Sequence, residues 1–304
     1  MPLKSRSKSK ELKVYTSLNS RMDLEPSDRK KYTNLKKGYD GEVMFDSLTA
    51  SLDKKFLIIN DLNLKSENTT FQIDSLIITK GTVIPWEVKN YKGNYYYEND
   101  NFYLCTNRKP ITNPLHQLNR CETLLRPLLH SKGFHLPIEG YVSFINPEFF
   151  LYQAPQKKNI IFQPQLKFFL NELSMLPSNI NGMHKNLADF LLNAHISEPD
   201  NMRFPLYEYE QLRKGFICAC CQSFSVTPFE KKIVCNDCGY EESLQSAVIR
   251  SIEELVLLFP NIKITANLVY DWCNFDELKR KIRRILPKNY KIIGHGPHSY
   301  YVNK

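Results

Sequence analysis

The sequence predicts an α/β protein, a mixed sheet with helices packed on it, followed by a small cysteine-bound module and a compact basic segment. Three observations predict it. From Gly38 to about Ser197, helix-like and strand-like patterns alternate in the order helix, three strands, helix, strand. Two C-x₂-C pairs then stand thirteen residues apart. From residue 244 onward, three helical patterns precede a glycine-punctuated hairpin pattern.

The 304 residues, 42% of them hydrophobic and 12% aromatic, give room for two or three domains with proper cores. The expected divisions are a basic, disordered leader at 1–30, an α/β domain at 31–200, a cysteine module at 210–243 and a C-terminal domain at 244–304. GEVMFDSLTASL (41–52) carries Phe45, Leu48 and Leu52 at helical spacing. FLIIND (56–61), TFQIDSLIIT (70–79) and TVIPWEVKN (82–90) read as strands, and NYYYE and NFYLC as a hairpin around Asn99-Asp100. Asn113 and Pro114 mark a helix start, with Leu118, Cys121, Leu125 and Leu128 as its apolar stripe. YVSFIN and NIIFQ read as further strands, followed by helical QLKFFLNEL and NLADFLLNAH.

Lys and Arg number 41 against 32 acids, a net charge of +9, so a polyanion is the first partner to consider. No apolar run approaches the roughly eighteen residues of a membrane-spanning helix, and MPLKSRSKSKELK lacks the apolar stretch of a signal peptide. The expectation is therefore a cytoplasmic protein with no membrane partner. Reducing conditions there argue against disulfides, so the eight cysteines need another explanation.

The pattern IPWEVKNYKG (84–93) places an acid and a base two residues apart on one strand face. If the preceding hairpin turns symmetrically at Lys80-Gly81, paired residue numbers sum to 161 and Asp74 lies opposite Glu87. Opposed side chains stand about 4.5–5.5 Å apart at Cβ, so two carboxylates and the Lys89 ammonium gather at one place. Adjacent carboxylates repel unless a proton or cation intervenes, and Mg²⁺ or Mn²⁺ suits such oxygen donors. Lys89 fits a group that orients an attacking water and stabilises charge growing on a phosphate. Glu42 shares a helix face with Phe45, Gly38 and Gly41 and adds a third acid, while Gln117 sits in the first turn of the later helix. The plainer alternative is a cross-strand ion pair on a wet sheet face; the flanking apolar residues count against it. Pro85 places this strand at an edge or at a bulge.

GYDGE (38–42), FQIDSLIIT (71–79), IPWEVKNYKG (84–93) and NPLHQ (113–117), in that order, resemble the nuclease-related domain, NERD, a branch of the PD-(D/E)xK nuclease superfamily. The resemblance covers roughly residues 35–145. It implies a restriction-endonuclease-like core, with Glu42, Asp74, Glu87 and Lys89 as the catalytic set and Gln117 as an auxiliary. Asp74 and Glu87 would hold the divalent metal and Lys89 would position the water. The chain departs from the family's usual pattern at Pro85-Trp86, where an aliphatic pair is usual, and at Ser75, where His is common.

Cys218, Cys221, Cys235 and Cys238 form two close thiol pairs of the kind that cage Zn²⁺ tetrahedrally, with all four positions filled and none open for catalysis. The intervening segment could supply two short strands, and the whole resembles a zinc ribbon. Cys220 reads as a spectator that could replace Cys221, and Cys105, Cys121 and Cys273 as buried apolar residues.

LQSAVIRSIEELVLLF, ITANLVYDWC and FDELKRKIRRIL read as three helices, the third bearing Lys279, Arg280, Lys281, Arg283 and Arg284. A hairpin turning at Gly294, Gly296 and Pro297 follows. Three helices and a hairpin resemble a winged helix-turn-helix, which implies that the third helix enters the major groove; a merely solvated cationic face is the alternative. The combined reading is a metal-dependent endonuclease acting on duplex DNA. The alternatives are a catalytically silent DNA-binding or partner-recruiting protein, an RNA-processing nuclease, and a subunit of a restriction or phage-defence assembly. The sequence leaves a partner protein or a homo-oligomer open.

Overall fold

The computed structural model describes residues 1–156, 159–197, 202–296 and 299–304. The domain edge expected at 200 and the turn residue Pro297 lie outside the described residues. Two compact units emerge, each discontinuous in sequence: Met1–Lys8 with Thr33–Met202, and Ser9–Tyr32 with Arg203–Lys304. Helix α1 (Lys10–Arg21) belongs to the second unit, and α2 (Pro26–Thr49) runs from the second into the first.

In the first unit, β1 (Leu57–Ser66), β2 (Thr69–Ile78) and β3 (Val83–Lys89) follow α2. Next come β4 (Gly93–Glu98), β5 (Asn101–Leu104), β6 (Pro110–Ile111), α3 (Pro114–His130), β7 (Tyr141–Phe144), β8 (Phe149–Tyr152) and β9 (Ile160–Phe162). Helices α4 (Gln163–Met175) and α5 (Gly182–Asn193) complete it. Among the described residues, five strands form a mixed sheet in the order β1-β2-β3-β7-β9, antiparallel through β3 and parallel beyond it. One apolar cluster joins Phe45 of α2 and Leu166 and Leu170 of α4 to Ile84, Trp86 and Val88 of β3. Another joins Cys121 and Leu125 of α3 and Leu187 and Leu191 of α5 to Ile78 and Val83. Helices thus cover both faces, as parallel strands require. A smaller sheet, β6-β5-β4-β8, contains the expected hairpin. Its turn residues Asn99 and Asp100 both have positive φ, 49° and 60°, which two-residue hairpins favour.

The second unit holds a three-stranded sheet, β10 (Val226–Phe229), β11 (Lys232–Cys235) and β12 (Glu241–Ser243). Helices α6 (Leu244–Leu258), α7 (Ala266–Cys273) and α8 (Lys279–Asn289) follow, then the hairpin β13 (Tyr290–Ile293) and β14 (Tyr300–Asn303). Val248, Ile252, Leu255, Trp272, Ile282 and Leu286 are buried.

Four expectations are corrected. The leader is ordered: Ser9 caps α1 by accepting from the Leu12 N–H, and Leu12, Val14, Tyr15 and Leu18 bury one face of that helix. Its charge reads as disorder in the sequence, yet Arg21 is almost wholly enclosed, donating to both Glu254 oxygens (3.0 and 2.6 Å) and to the Arg213 carbonyl (2.6 Å). Leu48 is exposed; the buried stripe of α2 runs through Gly41, Phe45 and Thr49. Cys105 is exposed, while Cys121 and Cys273 are buried. Pro85 lies in a central strand, opposite Leu76. Thr79 donates to the Thr82 carbonyl (3.0 Å), so by alternation 76–85 is a non-hydrogen-bonded pair and the missing N–H of Pro85 faces β7. The parallel pairing flanks Pro85, at the Val83–Ile138 bridge and again from Trp86–Tyr141, so the missing N–H leaves a one-residue gap in that ladder.

Candidate active site and metal centre

The β2–β3 ladder pairs Ser75 with Trp86, Leu76 with Pro85, Ile77 with Ile84 and Ile78 with Val83, the register of constant sum 161. It stops just before Asp74 and Glu87. There the Val88 N–H, which the register would direct to the Ile73 carbonyl, donates instead to Asp74 Oδ2 at 2.7 Å. A carboxylate has replaced a main-chain acceptor. The neighbouring strand is irregular at the same level. Asp61 has φ 53°, and Leu62 and Leu64 join the same apolar cluster as Ile59, so the in–out alternation of β1 slips by one. Ile73 and Leu76 record the same slip on β2.

Lys89 Nζ lies 2.5 Å from Glu87 Oε1, with both side chains largely buried. Burial pushes Glu87 up to about 7, with Asp74 adding to it and Lys89 opposing it. Asp74 is also raised by burial, against the pull of Lys89 and the Val88 N–H. Glu42 is pushed up to about 8, by burial first and Asp74 second, while Arg6 pulls it down. Lys89 is held above its ordinary value because Glu87 and Asp74 outweigh the burial cost. The four charged residues singled out in the sequence thus act on one another.

Glu42 reaches this place because α2 packs tightly there. A Cβ on Gly41 would fall 2.5 Å from Asn90 Cβ, one residue beyond β3. Asn90 in turn donates to the Lys37 carbonyl (2.9 Å) and accepts from Asn146 (2.9 Å). Gln117 lies one turn before Cys121 on α3, whose cap is Asn113, accepting from the Leu115 N–H. The Cys121 thiol is raised by burial and then by Glu87 and Asp74. Gln117 Oε1 is buried without a hydrogen-bond partner.

Sequence reasoning missed Arg6 and Asp46. Arg6 donates from Nη1 to Glu42 Oε2 (2.6 Å), from Nε and Nη2 to the two Asp46 oxygens (3.0 Å each), and from Nη2 to the Asp74 carbonyl (2.6 Å). Asp46 was findable, one helical turn from Glu42. Nothing in the local pattern marks Arg6.

The donors are of the type a divalent cation takes, carboxylates with an orphaned amide oxygen on α3, although the group of three or more ligand atoms within 4.8 Å found among the described residues is that of the cysteines.

The four thiols of the second unit also converge. The sulfurs of Cys218, Cys221, Cys235 and Cys238 all lie within 4.8 Å of one another. The Cys218–Cys238 and Cys221–Cys235 separations are 3.6 and 3.5 Å, close to the roughly 3.8 Å edge of a tetrahedron with Zn–S bonds of about 2.3 Å. The two knuckles repeat one design. Main-chain N–H groups of Cys220 and Cys221 point at Cys218, and those of Asp237 and Cys238 at Cys235. The residue after each second cysteine takes a positive φ, Gln222 at 64° and Gly239 at 72°. With its three strands, the group fits a zinc ribbon. Cys220 stays outside the four-sulfur group, its side chain exposed.

On α8, Lys279, Arg280, Lys281, Arg283 and Arg284 are all exposed, while Leu278, Ile282 and Leu286 are buried. Lys281 donates to the Glu230 carbonyl at 2.5 Å, and the Arg283 guanidinium lies 5.9 Å from the Tyr270 ring centre. No described helix is long and apolar enough to cross a membrane.

Residues 37–145 match the family model described as nuclease-related domain, NERD. No curated protein and no solved structure matches the chain.

Proposed function

We propose, for a chain that carries a nuclease-related domain, that it is a metal-dependent endonuclease hydrolysing phosphodiester bonds in DNA. The observation that carries this reading is the Asp74–Glu87–Lys89 cluster at the point where the β2–β3 ladder gives way to a side-chain acceptor. Asp74 and Glu87 would hold Mg²⁺ or Mn²⁺, which supplies Lewis-acid polarisation of the scissile phosphate when bound. Lys89, fixed by Glu87, donates to the attacking water and offsets charge growing on the phosphate. Glu42 would add negative charge that favours the cation, and the unpaired Gln117 oxygen would be free to accept from a water held there.

The four thiols would bind Zn²⁺ in a purely structural role, since the cage leaves no open position. The helices α6–α8 and the hairpin β13–β14 follow the element order of a winged helix. On that reading the exposed cations of α8 contact duplex DNA and supply affinity.

A second reading keeps the fold without the chemistry, a DNA-binding or partner-recruiting protein. Arg6 and Lys89 favour it, because they already engage Glu42, Asp46 and Glu87. The deciding experiment incubates the protein with supercoiled plasmid, linear duplex, single-stranded DNA and RNA in Mg²⁺, Mn²⁺ or EDTA, beside Asp74→Ala and Lys89→Ala. Metal-dependent cutting lost in both variants is the expected result, and the preferred polymer identifies the substrate. DNA binding without cutting moves the second reading ahead. Cutting that survives both substitutions refutes the site assignment.

A further inference from the structure

We propose, resting on the nuclease reading above, that Arg6 is a positioning residue of the acidic centre, carried into it by an N-terminal strap that lies along β1. The strap is fastened independently of Arg6. Leu3 donates to the Ile58 carbonyl (2.8 Å) and the Asn60 N–H donates to the Lys4 carbonyl (3.1 Å), a parallel bridge between Lys4 and Ile59. The Lys4 ammonium donates to the carbonyls of Asn60 (3.0 Å) and Asp61 (2.5 Å) and lies 3.4 Å from Asp61 Oδ2. The strap therefore covers the edge of the main sheet and is held at the residue where the alternation of β1 slips.

Two residues further on, the Arg6 side chain is 3% exposed and its guanidinium makes four hydrogen bonds. They join two elements: Glu42 and Asp46 on α2, and the main chain of Asp74 on β2. The fork geometry suits this work. Two parallel bonds fix Asp46, while the remaining N–H groups reach Glu42 and the Asp74 carbonyl. A lysine there would keep the charge and lose the bridge. Arg6 thus sets how far Glu42 stands from Asp74 and restrains the Glu42 carboxylate from turning onto a cation. It also carries positive charge into a group of acids, Glu42, Asp46, Asp74 and Glu87, beside that of Lys89.

Removing the guanidinium therefore has two opposite consequences. The site becomes more negative and frees Glu42 as a donor, so it binds a divalent cation more tightly. The same freedom spoils the geometry on which turnover depends, where a displacement of about 1 Å can cost on the order of 100-fold. Loss of a merely structural contact would weaken both.

The test uses the full chain, zinc-replete, as wild type, Arg6→Ala and Arg6→Lys. Mn²⁺ affinity is measured by calorimetry, amide exchange is followed at Asn60, and kcat and KM are measured on whichever polymer the wild type cuts. For Arg6→Ala, Mn²⁺ should bind severalfold more tightly, while kcat falls about 10- to 100-fold with KM little changed. Millimolar guanidinium should restore part of that kcat, and Arg6→Lys should fall between. Asn60 exchange should rise modestly, because Lys4 still holds the strap. Unchanged Mn²⁺ affinity, or affinity and kcat falling together without guanidinium rescue, overturns the assignment. If the wild type cuts nothing, the nuclease reading fails and the Mn²⁺ measurement still decides whether Arg6 restrains the acidic centre.

Discussion

The molecule gathers ligand-type side chains at two places, and the two balance charge differently. In the first unit, the carboxylates of Glu42, Asp46, Asp74 and Glu87 gather around Lys89 and Arg6, so cations supplied by the protein offset part of the repulsion. In the second, four sulfurs meet with main-chain N–H groups among their polar partners. Four thiolates at such distances require an external cation. On the proposed reading, the acidic centre can exist with or without a cation and the thiol centre cannot, the division expected between a site that turns over and one that holds a fold.

The comparison breaks first if the acidic centre proves to be structural. Asp74→Asn keeps an acceptor for the Val88 N–H while removing the charge. It should lower metal-dependent cleavage by about 10³-fold, roughly 4 kcal/mol, with the melting temperature unchanged or higher. A large drop in stability with cleavage retained reverses the two roles.

The second test strips the thiol centre. Chelation under reducing conditions should release one Zn²⁺ per chain and expose the amides of β10–β12 to exchange, with β1–β3 still protected. Protection lost equally in both regions means the ribbon does not depend on the ion.

Gly41→Ala tests how closely Glu42 is placed. Its Cβ meets Asn90 at 2.5 Å, so α2 must shift, at a cost of about 1–3 kcal/mol by chemical denaturation. Cleavage should fall further than that loss of stability alone explains.

The acidic centre should also show in the pH dependence. Glu87 and Glu42 are raised to about 7 and about 8, above their ordinary 4.5. The folded state therefore binds more protons than the unfolded state between pH 4.5 and 8. Their stabilisation is fully present below pH 4.5 and is lost as pH rises through 7 to 8. Metal-free protein should melt several degrees lower at pH 8.5 than at pH 5.5, less so in Glu87→Gln, and added Mn²⁺ should oppose the loss. A flat profile in all three means the acids are already ionised against Arg6 and Lys89.

The smallest expected effect lies outside both centres. Arg280→Ala and Arg284→Ala should each weaken duplex binding uniformly across sequences and reduce the salt slope by about 1. An unchanged slope makes α8 a solvated face.

What could be read from the sequence was local. The strands announced themselves through alternation, and the 161 register followed from Lys80-Gly81 flanked by threonines. Asn99-Asp100 marked its own turn, and the cysteine spacing marked the cage. What escaped depends on distant partners. Arg6 lies 36 residues from Glu42 and 68 from Asp74, so no periodicity connects them. Helix α1 does carry Leu12, Tyr15 and Leu18 at helical spacing, but the surrounding lysines and serines read as a solvated tail. Pro85 looked like an edge residue because its neighbour across the N–H side is set by β7, more than fifty residues downstream and invisible from the strand itself.

The discontinuous path of the chain bears on its synthesis. The strap can dock once β1 has formed, some fifty residues later. Arg21 must wait for Glu254, 233 residues later. At about 5–20 residues per second, that delay is roughly 10–50 s on a ribosome. Throughout it, α1 has early partners such as Asp28 and Lys31 at Tyr15 but lacks the Glu254 carboxylate that closes on Arg21. The first unit can be complete while the opening helix of the second still awaits its last partners, so the order of emergence leaves the second unit open to wrong associations long after the first is safe.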